Sequence, residues 1–303
     1  PPAACPARAA GNGKAPGDLI ARGAILLDGF TGQTLYEKEA ETRFYPASAT
    51  KVLTALLIIE AGGLDEEVEI LPEDTEVEPS AVYFRPGERY TRRELLYALM
   101  LKSANDVAMA LARDNAGSVA AFAEKMTHRA AELGAVRSHF MNPHGLHHPE
   151  HYTTPRDMAL IARAAMEQPV FRELVATQEF TWHGGKAVGT LNLHNHNKML
   201  RTFPGCTGLK TGYTRAARHV LVTSALRNGR EVISVVMSSD KAGKWSDSAW
   251  LLEQGLNQPV AGHPAFPSPP PPEVAKPENQ TPKTRSDPRS TAAVQRTKGR
   301  FGR

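Results

Sequence analysis

A hydroxyl and an amine stand three residues apart in Pro46-Ala47-Ser48-Ala49-Thr50-Lys51. Val52, Leu53, Leu56, Leu57 and Ile59 follow at helical spacing. On a helix, residues i and i+3 share a face, so Lys51 lies one turn above Ser48 with its nitrogen near the hydroxyl oxygen. That pairing is a nucleophile beside a base. The unpaired N–H groups and the positive dipole end of a helix N-terminus would stabilise negative charge developing there. Lysine acts as a base only when uncharged, and burial beside a second cation lowers an ammonium pKa. The reading therefore requires another cation elsewhere in the chain. Alone, S-x-x-K decides little: Ser238-Ser239-Asp240-Lys241 repeats it where a strand runs into a loop, and a capping serine with a solvated lysine has the same signature.

Two further motifs supply what the pair lacks. Ser103-Ala104-Asn105 falls between two expected helices, where a loop serine can relay a proton and an asparagine amide can hold a substrate amide. A helix cap reads the same way. Lys210-Thr211-Gly212 offers the required second cation. Lys210 would also attract a substrate carboxylate, Thr211 would donate to it, and Gly212 would let a peptide lie close along a strand edge.

The elements that must position these residues follow from periodicity. Ala21–Asp28 reads as a buried strand, Gly29–Gln33 as a turn, and Thr34–Lys38 as the returning strand of a hairpin. Helical patterns cover 92–100, 105–114, 119–133 and 155–167. A second β region opens at Lys210–Gly212, strands at 219–226 and 231–237 flank the turn signal Asn228-Gly229, and a helix over 245–256 follows. Strands at both ends around a helical block predict an α/β fold (an α+β sandwich), an antiparallel sheet flanked by helices, interrupted by an inserted all-α subdomain over about 62–200. A cleft belongs at the seam between the two lobes.

Length and charge bound the rest. The chain has 303 residues and a formal net charge of +4, but 8 Lys/Arg against 3 Asp/Glu, and 10 of the 23 prolines, fall after Gln258. We read 18–258 as the folded domain, 259–303 as a Pro-rich basic disordered tail, and 1–17 as a flexible N-terminal segment of a processed or truncated start. Cys5 and Cys206 have no metal-ligand spacing, and a disulfide between them stays open. His144, His147, His148 and His151 crowd together without the cysteines or carboxylates of a zinc site, so no metal and no cofactor is expected. The tail's basic residues lack interleaved aromatics, which argues against nucleic acid, and no run is long enough to span a membrane.

Taken together and in order, the three motifs resemble the penicillin-recognising serine enzymes, with the penicillin-binding-protein/β-lactamase-like transpeptidase fold. The chain is most similar to the serine D-alanyl-D-alanine carboxypeptidases, the low-molecular-mass penicillin-binding proteins. Phe140–Leu146, His151–Asp157, Asn195-His196-Asn197 and Gly208–Thr214 carry the resemblance further, over about Asp18 to Leu256. It implies Ser48 as acylated nucleophile, Lys51 as its base, and Ser103 and Asn105 as relay and substrate holder. It also implies Lys210, Thr211 and Thr214 facing a terminal carboxylate, with the backbone N–H groups of Ser48 and Tyr213 as oxyanion hole. The implied partners are peptidoglycan stem peptides and β-lactam antibiotics, outside the cytoplasm, with weak association of the basic tail with anionic cell-wall polymers. Two departures stand out. Arg218 replaces a usual glycine, which either excludes a positive φ or adds a third cation near the cleft, and His196 replaces an arginine common in relatives, which predicts weaker carboxylate recognition. A β-lactamase or esterase on the same scaffold is the first alternative, but Glu173–Thr177 lacks the asparagine that accompanies a deacylating glutamate. A wall-binding homologue that has lost catalysis is the second.

Overall fold

Val232–Met237 carries apolar side chains on both of its faces, interrupted only by Ser234, and a strand of that kind must be covered from two sides. In the computed structural model, which describes residues 19–77, 80–184 and 189–258, it lies in β9 (Arg230–Ser239), buried along its whole length. The N-terminal segment with Cys5 and the tail 259–303 lie outside the described residues.

Numbered along the chain, the other strands are β1 (Gly23–Asp28), β2 (Thr34–Lys38), β3 (Glu67–Glu69), β4 (Arg89–Thr91), β5 (Glu179–His183), β6 (Thr190–His194), β7 (Cys206–Thr214) and β8 (Arg218–Arg227). The α-helices are α1 (Lys51–Ala61), α2 (Arg92–Tyr97), α3 (Asn105–Ala116), α4 (Val119–Glu132), α5 (Pro155–Met166), α6 (Pro169–Ala176), α7 (Met199–Thr202) and α8 (Gly243–Leu256). The main sheet is five-stranded and antiparallel in the order β2-β1-β9-β8-β7, which leaves β7 at an edge. Asn228 and Gly229 both take positive φ in the two-residue turn that joins β8 to β9.

Side-chain parity divides the core. Ala24, Leu26, Leu221, Val232 and Val236 pack with Leu251 and Leu252 of α8 on one face. Ile25, Leu27, Val220, Val222, Ile233 and Val235 join the cluster of α1 and α5 on the other. Successive residues of a strand point to opposite faces, so each central strand serves both layers.

The insertion is narrower than 62–200 and not wholly helical. Helices α5 and α6 pack chiefly on the sheet, at β9 and β7. Two two-stranded sheets, β3-β4 and β5-β6, accompany the inserted helices. Strands of three residues with glutamates at both ends, as in β3, are too short for period-two alternation to be distinguished from a loop.

One ion pair ties α6 to the sheet. Both nitrogens of the Arg172 fork reach the Glu231 carboxylate at 2.7 Å, and that carboxylate is 1 % exposed. Removing the arginine alone would leave a buried carboxylate without its counter-charge. Arg172→Ala is expected to lower unfolding free energy by about 2–3 kcal/mol in urea denaturation, somewhat under a fully buried pair because the guanidinium is partly exposed. Replacing both residues by leucine should recover most of that loss.

Candidate active site

Ser48 sits in a 3₁₀ turn, Ala47–Thr50, and Lys51 is the first residue of α1. The expected helical neighbours are thus joined by a tighter turn, in which side chains at i and i+3 eclipse. Ala47 enters the turn with φ 48°, a strained value for a residue with a Cβ. The loop 140–151 clamps this turn from outside. A Cβ on Gly145 would fall 1.8 Å from the Ala47 carbonyl oxygen, so only glycine permits the approach. Thr54 Oγ1 donates to the Pro143 carbonyl at 2.7 Å, and His151 Nε2 lies 2.9 Å from Thr50 Oγ1. His151 Nδ1 accepts from Met141 N, which leaves Nε2 as the protonated nitrogen that donates to Thr50. Burial, then the neighbouring histidines and Lys51, pull the His151 pKa down to about 3, so this neutral tautomer persists across physiological pH.

Lys51 is fully buried, and its Nζ has three oxygen neighbours. Asn105 Oδ1 is 2.7 Å away, the His144 carbonyl oxygen 2.8 Å, and Ser48 Oγ 3.2 Å. An amide oxygen and a carbonyl oxygen can only accept. A neutral amine therefore spends its two N–H groups on them and turns its lone pair to Ser48, whose hydroxyl donates. Desolvation, and next the charge of Lys210, drive the Lys51 pKa well below its ordinary value, with Asp106 opposing.

Helix α2 passes into a π-helical turn, Ala98–Lys102, that ends on Ser103 in the left-handed conformation at φ 64° and ψ 33°. Ser103 is buried, and Asn105 opens α3 with its N–H donated to Ser80 O at 2.7 Å. The neighbouring Asp106 carboxylate accepts from the backbone N–H groups of Val82 and Tyr83, which holds that segment, Tyr83 at φ 61°, beside the S-x-N turn.

The edge strand β7 closes the other side. A Cβ on Gly212 would lie 2.9 Å from Ser48 N and 3.0 Å from the Ala47 side chain, so the strand runs directly over the nucleophile's turn. Lys210 is buried, and desolvation followed by the charge of Lys244 brings its pKa down to about 7. Thr211 is half-buried, Tyr213 is exposed, and Thr214 Oγ1 accepts from Ala217 N at 3.0 Å in the β7–β8 turn. Every second N–H of an edge strand faces away from the sheet, here toward the cleft. Asn195 and Asn197 are tied to Val175 O, Thr177 O and Gly208 O, and so brace the start of β7.

The fold and these motifs match known proteins. Residues 10–241 fit the profile of the D-alanyl-D-alanine carboxypeptidases, peptidase S11. The chain belongs to that family. D-Alanyl-D-alanine carboxypeptidase DacB2 of Mycobacterium tuberculosis is 36 % identical over 77 % of this chain and 81 % of its own length. DacF of Bacillus subtilis is 33 % identical over 72 % of this chain and 57 % of its own length, so the chain spans little more than half of that relative. The crystal structure of the Streptomyces K15 DD-transpeptidase superposes with a TM-score of 0.75 at 33 % identity, covering 79 % of this chain and 98 % of the other. As a member of the carboxypeptidase family the chain carries all three motifs, gathered around one buried lysine.

Of the two departures, Arg218 keeps the glycine-like backbone at φ 59° and is exposed, so of its two expected consequences the exclusion of a positive φ is corrected. The exposed His196 has its pKa lowered to about 4, by desolvation and then by Lys210, Lys102 and Lys244, so it is neutral where an arginine would be charged. Lys244 and the His144 carbonyl are site groups absent from the sequence reading. Lys244 was legible as a cation in the first turn of α8, where the dipole disfavours it. A backbone carbonyl carries no signal in residue type.

With Lys51 read as the base, its neutral form is the competent one, and acylation should fall as pH drops through its pKa. Since Lys210 helps to depress that pKa, Lys210→Gln should move the acid limb of the rate of benzylpenicillin acylation to higher pH. An unmoved limb would remove Lys210 as the second cation.

Proposed function

We propose that this chain removes the terminal D-alanine from peptidoglycan stem peptides by acyl transfer to Ser48. The observation that carries this reading is the buried Lys51 Nζ, 3.2 Å from Ser48 Oγ and within reach of two acceptor-only oxygens that would take the N–H groups of the neutral amine and leave its lone pair for Ser48. Ser48 gives its proton to Lys51 as Oγ bonds to the carbonyl carbon of the penultimate D-alanine. The oxyanion is held by the N–H groups of Ser48 and Tyr213, each such donor worth ~10²- to 10³-fold in rate. When the C–N bond breaks, the proton passes through Lys51 and Ser103 to the leaving amine. Water then attacks the ester, gives its proton back along the same path, and frees Ser48. Lys210 and Thr211 meet the terminal carboxylate, Asn105 holds the peptide amide, and Gly212 lets the peptide lie close along β7. Thr214, expected beside that carboxylate, accepts from Ala217 N and is read as part of the β7–β8 turn on the acyl side.

The geometry around Glu173 argues against a β-lactamase. Its carboxylate accepts from the Tyr97 hydroxyl at 2.7 Å, and desolvation together with Glu173 raises the Tyr97 pKa to about 12. That glutamate is engaged by a phenol rather than positioned to activate water. A β-lactam opened by Ser48 keeps its leaving amine tethered, which obstructs incoming water, so the adduct should persist.

Intact mass after mixing with benzylpenicillin is expected to show one adduct per chain, absent in Ser48→Ala, and diacyl-Lys-D-Ala-D-Ala should release D-alanine. Rapid multiple turnover of the drug would favour a β-lactamase, and neither adduct nor release would favour a protein without catalysis.

The substrate places the enzyme on the wall side of the membrane. No helix among the described residues is long and apolar enough to cross one. The residues after Gln258, net +5 in sequence, would attract anionic wall polymers. Truncation after Gln258 should weaken retention on such material in a salt-dependent way while peptide turnover stays unchanged. Equal retention with and without those residues would end that role.

A further inference from the structure

A cavity of about 400 Å³ opens beyond the far end of β7, between Thr42–Tyr45, Tyr152 and the two alanines of the β7–β8 turn. Its charged lining is Arg22 and Arg43, with Glu150 as the one carboxylate. The Arg43 guanidinium lies 4.2 Å over the Tyr152 ring, and that of Arg22 stands 6.0 Å from the Phe44 ring. Stacking uses the faces of these groups and leaves their N–H edges for an anion. Neither forms an ion pair among the described residues. The same holds for Arg215 and Arg218, which flank Ala216-Ala217, whereas most other described arginines are paired with acids. Two guanidinium groups that line one cavity without an ion pair to either leave positive charge there for an anion to meet.

The direction of a bound peptide connects this cavity to the cleft. With the terminal carboxylate at Lys210 and Thr211, and the scissile carbonyl opposite Gly212, the acyl side must continue toward Thr214 and the turn. Ala216 is four residues past Gly212, at most ~13 Å along an extended strand. One further residue with a long extended side chain covers that span. Thr214 Oγ1, by accepting from Ala217 N, holds the turn that walls the cavity.

We propose that this cavity is an anion-accepting subsite, which binds a carboxylate at the end of the side chain on the residue preceding D-Ala-D-Ala. The inference rests on the carboxypeptidase reading and adds to it a preference among stem peptides. Two peptides of Nα-acetyl-Lys-D-Ala-D-Ala test it, one with the ε-amine acetylated and one with it succinylated, read as kcat/KM for D-alanine release. The succinylated peptide should be about fivefold better at low ionic strength, with the advantage shrinking in ~0.5 M salt. The advantage should vanish in the double variant Arg22→Gln/Arg43→Gln, whose melting temperature shows that it folds. Equal kcat/KM for the two peptides in the unaltered protein would overturn the subsite, as would an advantage that survives in the double variant. Release from neither peptide would overturn the activity and the subsite together.

Discussion

Burial away from any counter-ion lowers the pKa of an ammonium group, and the placement of Lys51 makes use of that fact. Its stem is enclosed because α1 is buried from Lys51 to Ile59. Its nitrogen meets acceptors from two other parts of the chain, the loop that follows α4 and the first residue of α3. No single element can make this site. The helix supplies burial, the insertion supplies Asn105, and the 140–151 loop supplies a carbonyl, so the lobes must pack before the base exists.

The surrounding charges are graded from the interior outward. Lys51 is held well below its ordinary value by burial and then by Lys210, Lys210 comes down to about 7 by burial and then by Lys244, and Lys244 is lowered with desolvation as the first cause and the exposed Lys198 and Lys241 beyond it. Each cation burdens the one further in. His144 and His151, both held near 3 by burial, add hydrogen bonds without adding charge. The outcome is an amine held well below its ordinary pKa beside Ser48, and a cluster of cations where a substrate carboxylate would lie. Charge on Lys210 is also what a bound carboxylate restores, because an anion nearby raises an ammonium pKa.

Much of this was legible in residue order. The closeness of Ser48 and Lys51 was readable from their spacing, and the β8–β9 hairpin from Asn228-Gly229 between two strand patterns, since each depends on local geometry alone. The extent of the insertion was not. Helices α5 and α6 have the same amphipathic period whether they face a sheet or other helices, and only tertiary packing decides which. The β5-β6 hairpin escaped because its strands are exposed at alternate positions and end in polar residues, as a loop does. The His144 carbonyl had no signature at all, while Arg218 shows that a residue's intrinsic preference can be overridden by the turn that holds it.

That override recurs around the cleft. Ala47, Tyr83 and Ser103 all have Cβ atoms and all take positive φ. Such a conformation costs about 1–3 kcal/mol and persists only where neighbouring contacts over-determine it. Ala47 is held between Gly145 and Gly212, and Tyr83 by the Asp106 carboxylate. Ser103 is held by the end of the π-helical turn, where its N–H donates to Ala98 O. The two glycines stand on the facing segments, where closeness of approach is the limiting demand. Strain on the nucleophile's own turn is tolerated because the side chains there must point inward. A glycine at 47 would relax the turn and also free it to adopt conformations in which Ser48 leaves the reach of Lys51. Rigidity at Ala47, set against permissiveness at Gly145 and Gly212, is how the chain keeps a 3.2 Å contact between two groups that no covalent constraint holds together.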